Sequence, residues 1–517
     1  VTLVQRRWWT LVAVCIGVFM LLLDVTIVNV ALPQIQVAFS ASLSDLQWVI
    51  DAYALVLAAL LLTAGSVADL TGRRRMFAIG IALFTVSSLL CGLADGWVFL
   101  ALARGLQGVG GAIMFATSLA LIAQAFPPHQ RGVAFGVFGA VTGIAVAIGP
   151  VLGGVLTSGL SWRWIFFVNL PVGVLAFVTT VLRVDESRDP DAGRPDVPGF
   201  LTFSAALACL VFGLIRSEPD GWDSLVVAGT LTASAVLLAA FVVVEARSRA
   251  PMFDLGLLRV PTFSGGLLAA WGISASIFSL LTYLLIYFQG VLGYSPLQSG
   301  LRILPLSGAI FVAAAVAGRL SERVPVKWLI APGFALIAAG LLLMRGIEPG
   351  DDWTHFLPGF VVAGIGSGFI NVPLASTAVG VVSPRHAGMA SGVNSTFRQV
   401  GIATGVAALG SIFSSRLSTV LHDLLAGGPL AAASGPLADG VTSGRAAAVL
   451  ATLPPSQRGI AADAVRQSFA TGLDDITLVA AVVAAATAVL VGVLIRQRDF
   501  ASVQVHHGRK HVALAAH

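Results

Sequence analysis

Asp24 lies in the middle of the apolar run 8–32, WWTLVAVCIGVFMLLLDVTIVNVAL. An acid at bilayer depth costs about 2.5–3.5 kcal/mol on insertion scales, so it is kept where it faces a bundle interior or a wet cavity. The chemistry open to such a group is to take up a proton or cation on one side and release it on the other. Asp51, in WVIDAY (48–53), is the second candidate, although a solvated interfacial carboxylate fits its place near a span end better. Three arginines, Arg104, Arg302 and Arg398, also sit inside apolar runs. A guanidinium does not give up its proton, so each needs a carboxylate or backbone carbonyls as partner. For Arg302 and Arg398, helix packing and substrate contact are both open.

Other chemistries find little support. Cys15, Cys91 and Cys209 fall in apolar runs without CxxC spacing, so neither a disulfide framework nor a zinc site is expected. His129, His355, His386 and His422 are scattered over loops, and His506, His507, His511 and His517 lie in a tail. A polytopic acyl or glycosyl transferase would need a catalytic cluster near one membrane face, and the sequence offers none. The stretch GIGSG (364–368) lies in an apolar run with no strand before it, which argues against a nucleotide site. No metal or cofactor is expected.

The elements that must position these groups are membrane helices. Hydrophobic residues make up 57% of the chain and charged ones 11%, with a mean hydropathy of +0.92, far from the balance of a soluble domain. The net charge of +5 comes from basic residues spread along the chain without interleaved aromatics, so no nucleic-acid partner is expected. A crossing needs roughly 20 apolar residues, and runs of that kind recur fourteen times between 8–32 and 470–495. The first, after Arg6 and Arg7, reads as a retained span and not a secretory signal. Twenty of the thirty Lys and Arg fall in segments on one side, which predicts both termini in the cytoplasm. The predicted fold is an all-α polytopic membrane protein in three parts. These are a six-helix bundle (1–190), two additional spans with linkers (191–255) and a second six-helix bundle (256–517). The last part carries a long outer loop (416–468), rich in Ala, Gly, Pro and Ser and read as an irregular cover or spacer whose end, RGIAADAVRQSF, has helical spacing that leads into the final span, and a cytoplasmic tail. The loops GSVADLTGRRR (65–75) and GRLSERVPVK (318–327) share a glycine, an acid four residues on and trailing basic charge, as a two-fold build would place them.

These motifs carry a resemblance. GSVADLTGRRR, with Gly65, Asp69, Gly72, Arg73 and Arg74, resembles the signature loop of the major facilitator superfamily, and reads as a cytoplasmic latch of an acid facing basic charge. GIAVAIGPVLGG, with Gly143, Gly149, Pro150, Gly153 and Gly154, resembles the antiporter motif of its fifth helix. LDVTIVNVALP (23–33), with Asn29, resembles the first-helix motif of the fourteen-helix drug:proton antiporters. RGLQGVGG (104–111), with Gln107, is similar to the motif whose buried arginine is tied to proton coupling. WRWIFFVNLPVG (162–173), YFQGVLGYSP with Tyr287 and Gln289, and NSTFRQVG with Asn394 and Arg398 extend the likeness over the chain. The resemblance implies export of amphipathic small molecules from the cytoplasm by alternating access. Asp24, Arg104 and, less strongly, Asp51 would form the proton-coupling set, and Asn29, Gln107, Tyr287, Gln289, Arg302, Asn394 and Arg398 would serve the pocket or the packing around it. The expected partners are a small-molecule substrate, protons and the lipid bilayer of the plasma membrane, with the chain working as a monomer. Export of an endogenous lipid-like or natural-product metabolite fits the same motifs. A nutrient symporter of this fold is disfavoured by the glycine-proline helix. One departure matters: the run 296–318 holds Arg302 and no acid, which puts a preference for dications in doubt.

Overall fold

The computed structural model describes residues 3–41, 43–187, 196–248, 251–321, 323–348, 350–383, 386–442 and 446–500. The side chains of Asn29 and Pro150, Glu322 of the second signature-like loop and the tail histidines lie outside the described residues. Where described, the chain is helical, as an apolar chain in lipid must be to satisfy its own backbone. In order come α1 (Leu3–Phe39), α2 (Leu43–Thr71), α3 (Arg73–Gly92), α4 (Trp97–Ala125), α5 (Pro128–Gly159), α6 (Trp164–Phe167) and α7 (Asn169–Arg183). A hairpin, α8 (Val197–Asp220) and α9 (Leu225–Arg247), follows. Then come α10 (Pro261–Ile273), α11 (Ser279–Ile286), α12 (Pro296–Leu320), α13 (Lys327–Leu343), α14 (Leu357–Gly380), α15 (Ala387–Leu425), α16 (Ser434–Thr442), α17 (Ala446–Thr452) and α18 (Pro455–Leu494).

Among the described residues, twelve helical stretches are long and apolar enough to cross a membrane. Two further apolar runs fold as α5, 32 residues long, and α13, 17 residues long. The stretch Pro261–Val291 crosses as one span but holds two π-helical turns, Ser274–Phe278 and Tyr287–Val291.

Local chemistry sets the breaks. Gly72 alone separates α2 from α3 at φ +118°, a conformation that a residue with a Cβ rarely adopts. Asp196 and Ser224 cap α8 and α9, and Ser295 with Gln298 forms a capping box on α12.

The first seven helices pack together, as do α10 to α18, and the two groups meet along α2 against α15 and α5 against α12. Both crossings turn on glycine. A Cβ on Gly65 would lie 2.3 Å from the Gly388 carbonyl oxygen, and one on Gly318 would lie 2.8 Å from that of Gly132. The glycines that open the two similar loops thus make matching contacts between the halves, at the end of the bundle that carries Asp69. The α8–α9 hairpin rests by α8 on α2 and α15. In α9 only 17% of the apolar window is buried, so most of its surface is left to lipid.

The segment 416–468 departs from the mostly irregular loop expected, while its end is helical within α18, in line with its spacing. Helices α15 and α18 run 39 and 40 residues, close to 60 Å at about 1.5 Å per residue, roughly twice the hydrocarbon thickness. Their projecting ends pack with α16 into a cap whose core includes Leu417, Leu421, Leu425, Leu437, Val465 and Phe469. The Ala, Gly and Ser content disguised a stripe of leucines at helical spacing.

Candidate functional site

Asp24 is fully buried on α1, and three side chains from two other helices close on its carboxylate. Arg104 of α4 donates from Nη1 to Oδ2 in an ion pair. Gln107, one turn on, donates from Nε2 to Oδ1 at 2.9 Å, and Asn169, at the start of α7, donates from Nδ2 to the same oxygen at 3.0 Å. The spacing of Arg104 and Gln107 puts both on one face of α4, and Arg104 also donates to Gln107 Oε1 at 2.7 Å. The guanidinium is further held by the Val49 carbonyl, 3.3 Å from Nε, and by the Tyr53 ring, whose centroid is 4.2 Å from Cζ. Asn169 is positioned in turn by Ser88 Oγ at 3.0 Å, which itself donates to the Phe166 carbonyl.

The carboxylate answers the charge of Arg104 with donors on both oxygens, and loss of its charge would remove the reason for Arg104 to stay on it. Arg104 then keeps a carbonyl, an amide oxygen and an aromatic face as alternative partners. The Tyr53 hydroxyl, beside the network, is buried with no hydrogen-bond partner among the described residues.

Asn169, Ser88 and Tyr53 were not singled out from sequence. Asn169 sits in WRWIFFVNLPVG, and the signal available was an amide in an apolar run. Asp51 is half-buried on α2 and is not among the groups bonded to Asp24.

The loop after α2 bonds across the two halves, with narrower contacts than its basic run suggests. Asp69 pairs with Arg73, whose Nε lies 2.8 Å from Oδ1. Across the halves, Asp69 accepts the backbone N–H groups of Gly388 at 3.0 Å and Met389 at 2.8 Å, the open N-terminus of α15. Arg74 does not face Asp69. Its backbone N–H and that of Arg75 donate to Glu186, which satisfies the start of α3, and its side chain stays near the same carboxylate.

The glycines of α5 divide between two neighbours. A Cβ on Gly149 would lie 1.8 Å from Thr26 Oγ1, and one on Gly153 would lie 2.9 Å from Ile27, so these two let α5 close on α1 beside Asp24. Gly143 and Gly154 face Ile310, Ser307 and Leu297 of α12 in the other half. Gly149→Ala is therefore expected to cost about 1–3 kcal/mol by overpacking, read as a lower melting temperature of the purified protein. Thr26→Ala in the same chain should return part of the loss, and an unchanged melting temperature in the single variant would contradict the contact.

Of the remaining candidates, Arg302 finds its partners close by in the chain. It lies in the second turn of α12, bonds the Gln298 carbonyl and stacks on Tyr294 at 3.8 Å. Tyr287 packs within an aromatic cluster with Phe288, Phe356 and Phe469, and Gln289 is exposed. Asn394 is buried with Nδ2 unpartnered. Arg398 donates to Asn371 Oδ1 at 3.0 Å.

Comparison with known proteins now decides the family. Residues 14–406 match the family model described as Major Facilitator Superfamily. The chain belongs to this superfamily. It is 38% identical over 414 residues to the multidrug resistance protein Stp of Mycobacterium tuberculosis, covering 80% of this chain and 77% of that one. It is 39% identical over 423 residues to the puromycin resistance protein pur8 of Streptomyces alboniger, covering 81% and 84%. With the tetracenomycin C resistance and export protein of Streptomyces glaucescens, identity is 35% over 475 residues, covering 90% and 88%. In fold it is similar to the human organic anion transporter MFSD10, with a TM-score of 0.60 at 14% identity over 94% of this chain and 99% of that one. Membership in the superfamily and the apolar helices make it a multi-pass protein of the plasma membrane.

Proposed function

We propose that the chain is a proton-coupled antiporter that exports amphipathic small molecules, such as drugs, antibiotics or toxic metabolites, by alternating access. The observation that carries this reading is Asp24, buried and held by Arg104, Gln107 and Asn169. The family supplies the transport, and the names of the relatives point to drug export. In this reading fourteen helices span, with α5 and α13 added to the twelve, both termini are cytoplasmic and the Asp69 end is the cytoplasmic one. The contacts of Asp69 and the paired glycines then belong to a state closed toward the cytoplasm. A proton from outside discharges Asp24, Arg104 moves to its alternative partners, and the halves rock. Release of that proton inside accompanies substrate capture, and since the proton site lies within one chain, a monomer suffices.

Efflux of a substrate panel in inverted vesicles under an imposed pH difference tests this, and the absence of gradient-dependent transport for every amphipathic compound would contradict it. A stoichiometry follows as well. With Asp24 as the coupled acid, one proton enters per cycle, and a monovalent cation leaving in exchange moves no net charge. Such a substrate feels the pH difference alone, about 1.36 kcal/mol or tenfold per pH unit, and not the roughly 2.3 kcal/mol per charge of a 100 mV potential. Collapsing the potential with valinomycin and potassium at fixed pH difference should leave cation transport unchanged. A large loss would require a second coupled proton, with Asp51 as the residue to mutate.

A further inference from the structure

We propose that a cavity at the Asp69 end of the bundle, between the first turns of α1 and the ends of α4 and α7, binds the phosphate of an anionic phospholipid headgroup. The cavity has a volume of about 340 Å³, and Arg6, Arg7, Gln124 and Asp185 supply its charged and amide groups. That is roughly ten times the 30 Å³ or so that a water molecule occupies in the liquid, enough for a glycerophosphate group.

Among the described residues, the charges in the cavity leave one cation without an anion. Arg6 is paired with Asp185. Among the described residues Arg7 has no carboxylate partner, and its Nε–H is buried with no acceptor. Its guanidinium leans on the Phe126 ring, 6.0 Å from the centroid. A guanidinium without a carboxylate partner at the lining of a headgroup-sized cavity calls for an oxyanion, and the net charge of +1 from Arg6, Arg7 and Asp185 matches one phosphodiester.

The surroundings favour a lipid over free phosphate. Trp8 and Trp9, next in sequence to the arginines, are 43% and 41% exposed, and Leu182 is 69% exposed. Tryptophan at this level is an interfacial anchor, and the three residues offer acyl chains an apolar path beside the cavity. This assignment of leaflet rests on the orientation proposed above, in which the cavity meets the cytoplasmic leaflet and its anionic lipids.

The site also reaches the latch. Gln124 lines the cavity, and its Oε1 accepts from Nη1 of Arg73 at 3.1 Å, the residue that holds Asp69. A headgroup that accepts from the Gln124 amide would fix that side chain with its oxygen toward Arg73, and so support the closed state of this end.

The test is a titration of the purified full-length protein in detergent, followed by melting temperature and native mass spectrometry. The probes are dioleoyl phosphatidylglycerol, dioleoyl phosphatidylcholine, glycerol 3-phosphate and inorganic phosphate. Phosphatidylglycerol should bind saturably and raise the melting temperature, with phosphatidylcholine at least tenfold weaker. Arg7→Gln should weaken phosphatidylglycerol about tenfold, Arg7→Lys less, and Asp185→Asn should tighten it by releasing Arg6. Arg458→Gln, in the cap, should change nothing. Equal binding of the two lipids, or wild-type titrations in both Arg7→Gln and Asp185→Asn, would overturn the site. Saturation by glycerol 3-phosphate or inorganic phosphate as strong as by lipid would overturn the lipid assignment. Should Arg7→Gln fail to fold, Arg7→Lys and Asp185→Asn still decide the matter. The titration is blind to transport and to orientation, so a failed antiport assay leaves it standing and its own failure leaves the antiport reading standing.

Discussion

Asp24→Asn is expected to abolish proton-driven export while leaving the fold in place. Asparagine has the shape of aspartate but neither carries the charge that holds Arg104 nor exchanges a proton. Efflux driven by a pH difference should fall to the passive level, whereas binding of a neutral substrate should change little. Removing one partner of a buried ion pair typically costs 3–5 kcal/mol, because the other charge is stranded. Here the retained amide oxygen, the Val49 carbonyl and Gln107 Oε1 remain as acceptors for Arg104, so the loss should fall below that range. Asp24→Asn combined with Arg104→Gln removes both charges, and should recover thermal stability without recovering transport. Normal gradient-driven efflux by the single variant would sink the assignment of Asp24 as the coupled group.

Asp69→Asn should slow turnover much more than it weakens substrate binding. The carboxylate accepts from Arg73, Gly388 and Met389, and bonds to a charged group are each worth about 1.5–3 kcal/mol. Losing the charge destabilises the state closed at this end, so a fall in kcat of roughly tenfold or more is expected, with KM nearly unchanged. Gly65→Ala should act the same way through sterics alone, since its Cβ would meet the Gly388 carbonyl at 2.3 Å. Reduced binding with unchanged turnover of bound substrate would show that Asp69 acts in the pocket and not on the change of state.

What could be read from the sequence follows from how costly each residue is in a membrane. Asp24 and Arg104 stood out because a charge in an apolar run demands a partner, and the structure gives each to the other. Asn169 carried no such signal: an amide is cheaper to bury, and its role comes from a chain reversal that brings α7 against α1. Arg302 stood out because it falls in a run, 296–318, that holds no acid to pair with it. Stacking on Tyr294 is a tertiary fact that no linear pattern encodes. Similarly, the basic run 73–75 appeared to serve Asp69 as a block, whereas Glu186, over a hundred residues away, claims two of its three backbone N–H groups. In the cap, small residues passed for a linker because the leucines that bury it sit on helices extending past the point where a crossing would end.

The length of α15 gives the molecule a lever. One end, Gly388, is bonded to Asp69, and the other, Leu425, is buried in the cap about 56 Å away at 1.5 Å per residue. If the rod pivots by roughly 10° about the Gly65 contact as the halves rock, its far tip sweeps about 10 Å. On the alternating-access reading proposed above, the cap would be a pointer fixed to the gate, and a distance probe placed there would register opening on the opposite side of the membrane without touching the pathway.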